Sequence, residues 1–409
     1  MPLDAREIDR DFMTEQYLQN PYRFYEILRD REPVYWSDRF QGWIVTSYAA
    51  VFEVIRDTER FSNAWRLPAL LDQLPPDAQH EILPLRRHFS VGLINSDPPD
   101  HSRLRGLVRK AFTPRTVEGW RSRVAALTGE LLAAIGDGGA FDLVGRLAYP
   151  LPVRVITELV GIPSADADRY KAWSETIFRF IGTGSADLPA VREAQAAMLE
   201  LTEYFRDLFA RRRREPRDDL LSALVAVEDG GERLSEDELL SICSTFISAG
   251  HETTTSLIGS GVLSLMRHRE QLAMLREQPQ LIGSAVEEML RYEAPLQRDL
   301  KVATRDTEVE GVMIHKGDLV FAMLGAANRD PDQFPDPHLL DITREPNRHL
   351  SFGHGAHFCL GAPLARLEAQ IAITSLLRRY PRLRLAQDGV QWRRDIALRS
   401  LTGLDVAVE

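Results

Sequence analysis

Two cysteines, Cys243 and Cys359, occur in this chain of 409 residues, and the surroundings of Cys359 are suited to chemistry. It lies in Phe352-Gly-His-Gly-Ala-His-Phe-Cys-Leu-Gly361. Glycines at this spacing permit a tight turn whose backbone amides can converge on one atom. A helix-forming run, Ala362–Arg379, follows at once. A cysteine at a helix N-terminus is pushed toward thiolate by the helix dipole and by amide donors. Phe352, Phe358 and Leu360 offer an apolar wall that keeps water from such a sulfur. A lone thiolate suits a metal that needs one soft axial donor better than it suits zinc, which takes four ligands. The plainer alternative is a buried free thiol beside a turn. That is the reading for Cys243, which sits inside a long helical stretch.

A second chemical segment is Ala249-Gly-His-Glu-Thr-Thr254. The small Ala249 and Gly250 let a flat ligand approach the backbone. Thr253 can bond back to the carbonyl four residues earlier. An acid followed by an alcohol, Glu252 then Thr253, can pass protons through water. Glu252 could instead serve a structural salt bridge. His251, Thr254 and Thr255 read as structural. Glu288 and Arg291 share a helix face at i, i+3. His101 and Arg105, in Asp97-Pro-Pro-Asp-His-Ser-Arg-Leu-Arg105, lie one helical turn apart.

Helical periodicity dominates the elements that must hold these residues. It marks residues 120–135, 192–214, 235–267, 280–292 and 362–380. The stretch 235–267 opens on a capping box, Ser235 with Glu238. Its interior is almost free of charge, so it should be buried all round. Strand signals cover residues 42–46, and a hairpin over 307–321 is expected to turn at His315-Lys-Gly317. The irregular stretch 329–363, rich in proline and glycine, implies function. The expected architecture is one mainly α domain over 1–409 with small β-sheets.

Composition excludes other classes. Apolar residues are 44% and charged residues 27%, which is globular rather than disordered or fibrous. Fifty basic against sixty acidic residues give a net charge of −10, which argues against a general nucleic-acid binder. Two cysteines cannot form a disulfide scaffold. The first residues are charged, and no apolar run reaches a membrane span. The expectation is a soluble, cytoplasmic, monomeric protein without membrane insertion.

With these motifs together, the chain resembles the cytochrome P450 superfamily, in its soluble bacterial form, over nearly its whole length. The resemblance implies a haem b buried between the long central helix and the cysteine-loop helix, with Cys359 as proximal thiolate. That thiolate would donate electron density through the iron and favour O–O cleavage. The pattern Ala-Gly-x-Glu-Thr assigns proton delivery to Glu252 and Thr253. The Glu288–Arg291 pair would join Arg344 of the segment before the cysteine loop and fix that loop. His101, Arg105 and His357 would hold the haem propionates. One position departs from the pattern. Where relatives carry a further propionate-binding arginine this chain has Lys301, with Arg298 three residues earlier, and either is a candidate.

The resemblance also bears on partners. The sequence holds no Gly-x-Gly-x-x-Gly after a strand and no iron–sulfur cysteine cluster. Electrons should therefore come from a ferredoxin served by an NAD(P)H-dependent reductase. Arg103, Arg109, Lys110, Arg115 and Arg366 are expected to form a basic docking patch. Candidate pocket walls are residues 91–94, 178–181, 246–249, 296–300 and Leu401, mostly apolar, which suits a lipophilic substrate. The leading reading is a monooxygenase that hydroxylates or epoxidises such a molecule. The alternatives are a peroxide-driven peroxygenase and a non-catalytic haem sensor or carrier. The intact Glu252–Thr253 pair argues against both.

Overall fold

A computed structural model describes residues 9–183, 187–387 and 389–408. Strands β1 (Val34–Ser37) and β2 (Gly42–Val45) pair antiparallel, with Tyr35 opposite Ile44. The other strands that bear on the site and its surroundings are β3 (Phe61–Ser62), β4 (Asp299–Ala303), β5 (Thr307–Val309), β6 (Val312–Ile314) and β7 (Leu319–Ala322). Five of these form one sheet in the order β1-β2-β7-β4-β3, with β7 parallel to β2 and antiparallel to β4. Val34, Val45, Phe61 and Leu350 belong to the apolar cluster behind it.

The expected hairpin over 307–321 is corrected. β5 and β6 pair with each other, and the turn between them is Glu310-Gly311, both at positive φ (47° and 79°). Two left-handed residues match the right-handed twist of a two-residue hairpin. His315-Lys-Gly317 instead carries the chain out to β7 in the larger sheet. Only Gly317 there has positive φ, so that tripeptide makes a change of sheet rather than a hairpin.

The helices that matter are α1 (Asp100–Ala111), α2 (Arg121–Ile135), α3 (Pro150–Val160), α4 (Leu188–Arg214), α5 (Glu236–Arg267), α6 (Ile282–Tyr292) and α7 (Ala362–Arg379). α5 starts where the sequence predicts. Ser235 Oγ accepts the Glu238 N–H at 3.3 Å, and the Glu238 carboxylate accepts the Ser235 N–H at 2.8 Å. Its apolar residues Leu239, Ile242, Cys243, Leu257, Ile258 and Val262 are buried, and α3, α6 and α7 pack against it. Gly250 makes the α3 approach possible: a Cβ there would lie 3.2 Å from Ile156 Cγ1. The last helix ends at Arg379, one residue short of the expected bound.

The irregular stretch before α7 is held by side chains rather than by ladders. Arg291 binds Glu288 through two bonds, 2.8 and 2.7 Å, and both residues are fully buried. Arg291 also donates to the carbonyls of Asn328, Pro337 and Leu339. Arg344 joins Glu288 at 3.3 Å, and Asn347 and the Asp341 amide add further bonds to the same carboxylate. Buried charges persist only when every partner is in place, and removing one from such a cluster costs about 3–5 kcal/mol. A second tie, Arg366 to Glu287 through two 2.7 Å bonds, joins α7 to α6. Among the described residues no helix is long and apolar enough to cross a membrane.

Candidate active site

A cavity of about 320 Å³ runs between α5 and the cysteine loop. One wall carries Phe352, Gly353, His357, Phe358, Cys359, Leu360 and Gly361. The facing wall carries Phe246, Ala249, Gly250, Thr253, Thr254 and Leu257 of α5. The loop is shaped by Gly353 and Gly355, both at φ +67°. Side chains strain such left-handed positions, and glycine does not. The Cys359 amide donates to Phe352 O at 2.9 Å, closing the turn.

Cys359 is three residues ahead of α7, not its first residue. Its sulfur is open to the cavity yet deep inside the protein. Burial pushes its thiol up, while the Gly361 and Ala362 amides and the cations Arg105 and Arg366 oppose that shift. Burial and these donors thus act on the sulfur in opposite directions. Cys243, by contrast, is packed inside α5, and burial alone raises its thiol. Among the described residues no group of three or more His, Cys, Asp or Glu side chains could enclose a metal ion. A ligand that brings its own equatorial donors suits a single thiolate.

The rim of the cavity fits a carboxylate-bearing ligand. His101 is buried with neither ring nitrogen hydrogen-bonded, and the Nε2 of His357 has no partner either. Their rings lie 4.0 Å apart. Unsatisfied buried polar atoms cost about 1–3 kcal/mol each, and the acceptors of a carboxylate would satisfy them. Burial first, then neighbouring cations, lowers His101 to about 4 and His357 to about 2. Each ring offers an N–H that can donate to such a carboxylate. Arg105 lines the cavity and donates to Phe358 O at 2.6 Å.

Other expected residues fall elsewhere. Thr253 Oγ1 donates to Ala249 O at 2.9 Å, four residues back as the sequence predicts, and Thr253 lines the cavity. Thr254, read as packing, lines it too. Glu252 does not. It is buried and ion-paired with Arg393 at 3.1 Å, with His251 Nε2 at 3.6 Å. Burial works to raise its carboxyl, but His251 and Arg393 hold it below the usual range. Lys301 is fully buried away from the cavity, bonded to Asn63 Oδ1 and paired with Asp299 at 3.1 Å. Arg298 lies over the Phe321 ring, 5.2 Å from its centroid, also outside the cavity lining.

Sequence reasoning missed two charged residues that line the cavity, Arg66 and Glu368. Arg66 bonds Asn95 Oδ1 at 2.9 Å and pairs with Asp299 at 3.4 Å. Glu368, on α7, is 2% exposed, and its Oε2 has no hydrogen bond. Burial alone raises its carboxyl well above the usual range. Of the expected pocket walls, Leu93, Ile94, Phe246, Ala249, Leu296 and Asp299 line the cavity, whereas Val91, Gly92, Arg179, Phe180, Gln297, Arg298, Leu300 and Leu401 do not. The side chains of Phe178, Ile181, Ile247 and Ser248 lie outside the described residues.

The expected docking patch is reduced. Arg103 is bonded to Glu238 and sits 3.6 Å from Glu232, and Arg366 is held by Glu287. Their charges are already matched within the molecule.

Comparison with known proteins agrees with this geometry. Residues 156–397 match the family model for cytochrome P450. The chain is 40% identical over 413 residues to a 6-deoxyerythronolide B hydroxylase of Saccharopolyspora erythraea, covering 98% of each chain. It is 39% identical to a biotin biosynthesis cytochrome P450 of Bacillus subtilis, covering 97% of this chain and 98% of that protein. The crystal structure of P450BioI in complex with an acyl carrier protein ligated to hexadec-9Z-enoic acid superposes with a TM-score of 0.89. The pair are 39% identical, with 96% of this chain and 99% of that chain covered. The chain belongs to the cytochrome P450 family. It is accordingly a P450 monooxygenase, a haem-dependent oxidoreductase.

Proposed function

We propose that this chain is a single-domain, monomeric cytoplasmic enzyme that hydroxylates or epoxidises a lipophilic small molecule, with haem b held by Cys359. One observation carries the reading: the Cys359 sulfur and the Ala249–Gly250–Thr253 surface of α5 face the same cavity. Haem, when bound, supplies activation of O₂ and insertion of one oxygen atom into the substrate. Everything else falls to side chains. His101, Arg105 and His357 orient the cofactor through its carboxylates. Phe352, Phe358 and Leu360 keep water from the sulfur, and the amides of Gly361 and Ala362 hold its charge. Thr253 presents a hydroxyl at the cavity wall, and Glu252 recharges it with protons from behind.

The wall residues Leu93, Ile94, Phe112, Ile156, Phe246 and Leu296 support an apolar substrate. Hydroxylation is the chemistry in the name of one close relative, and an acyl chain is the cargo in the structure of another. Two electrons would come from a ferredoxin and its NAD(P)H-dependent reductase. The test is a screen of lipophilic compounds against the haem-loaded protein, read as a shift of the iron's optical spectrum when a ligand displaces water. Compounds that shift the spectrum should then yield an oxygenated product when ferredoxin, reductase and NAD(P)H are supplied. Shifts without any product would overturn the monooxygenase reading in favour of a carrier. Product formed with peroxide but not with the electron chain would favour the peroxygenase.

A further inference from the structure

The position where the resemblance calls for a cation at the haem carboxylates is filled by Lys301, yet Lys301 does not reach the cavity. Its ammonium is bound by Asn63 Oδ1 and by Asp299 Oδ2, and the side chain is 1% exposed. The other Asp299 oxygen, Oδ1, pairs with Arg66 at 3.4 Å. Asp299 thus stands between two cations and leaves the trio with one net positive charge. Of those two cations, Arg66 is the one that lines the cavity, alongside His101, Arg105 and His357.

Arg66 is held for the purpose. It opens the short helix Arg66–Leu71 just after β3. Nε donates to Asn95 Oδ1 at 2.9 Å and a terminal nitrogen to Ile94 O at 3.3 Å, while the other terminal nitrogen faces Asp299. A guanidinium has five N–H donors in a rigid fork, so donors remain after these three contacts. The plane is fixed by its neighbours, and the side chain is 16% exposed. Arg66, Asp299, His101, Arg105 and His357 all line the one cavity.

We propose that Arg66, in place of the lysine at the family position, is the charged donor that completes the clamp on a haem carboxylate, with Asp299 and Lys301 as the strut that positions it. This rests on the haem reading above. A carboxylate on a substrate shares the same chemistry and is the rival occupant.

The test uses the haem-loaded protein and the variants Arg66→Gln and Lys301→Met. Haem transfer to excess apomyoglobin is timed for each. Loss of one charge-assisted bond should speed transfer on the order of tenfold in Arg66→Gln. Arg66→Lys, which keeps the charge but not the fork, should fall between it and the parent. Thermal unfolding and near-ultraviolet circular dichroism check that each variant is folded. The reduction potential should also fall in Arg66→Gln, because a cation near the cofactor is lost. In parallel, a fatty acid and its methyl ester are titrated optically. An unchanged transfer rate in Arg66→Gln with weaker binding of the acid but not the ester would overturn the proposal and assign Arg66 to substrate. Faster transfer in Lys301→Met alone would also overturn it. If the parent protein takes up no haem, the functional reading itself fails, which is a separate outcome.

Discussion

At the scale of single residues, position relative to the cavity separates the proton-handling groups. Thr253 touches the cavity and Glu252 does not, so the hydroxyl is the member of the pair nearest the chemistry. Thr253→Ala should leave folding and haem content unchanged, because the Thr253 hydroxyl bonds to a carbonyl of its own helix. It should lower the fraction of NAD(P)H electrons that reach product and raise peroxide release several-fold. Measuring NAD(P)H consumed, peroxide formed and product formed in the same assay checks this, and unaltered coupling would remove Thr253 from the relay. The sequence made this segment legible because an acid next to a threonine within an apolar helix is rare and local. It could not show that Glu252 faces Arg393, since those residues are 141 positions apart. Arg66 and Glu368 were hidden for the same reason. Each looks like an ordinary surface charge until distant elements enclose it.

At the scale of elements, α6 and α7 are joined by charge as well as by packing. Burial works to raise the Glu287 carboxyl, but its bonds to Arg366 and His349 override that and hold it at about 2. The sign follows from linkage. A carboxyl whose folded value lies below its ordinary 4.5 adds stability that is full above that value and is lost as pH falls toward 2. The haem-loaded protein should therefore lose stability over that window more steeply than Glu287→Gln, which should be less stable at neutral pH. Urea midpoints measured across the window decide it, and parallel curves would show that the pair contributes nothing. The helix bounds were readable to within a few residues because capping and apolar period are local signals. For α5 even the capping box was read correctly. The hairpin turn was not, because His-Lys-Gly has turn composition, while the true turn needed a glutamate at positive φ that composition does not announce.

At the scale of the molecule, an acidic chain must still receive an electron donor. Arg103 and Arg366 were expected to greet it, but both are matched internally, which weakens the expected patch. A patch so weakened should give only a modest salt effect. The rate of first electron transfer from ferredoxin should fall a few-fold between low salt and about 0.5 M, far less than for a strongly steered pair. Stopped-flow reduction under carbon monoxide measures it. A rate independent of salt would mean that docking does not rely on charge. Most of the fold class was legible at this scale from the family motifs, because they are short, spaced and chemically specific. The partner face was not, since a basic residue in sequence carries no sign of the acid that will neutralise it.

The central claim is that Cys359 binds haem iron as a thiolate inside this cavity. The most direct measurement is the optical spectrum of the purified, reduced protein under carbon monoxide. The account expects the strongly red-shifted Soret band of thiolate ligation, abolished in Cys359→Ala. A protein that takes up no haem, or one with the Soret band of histidine ligation, would contradict it.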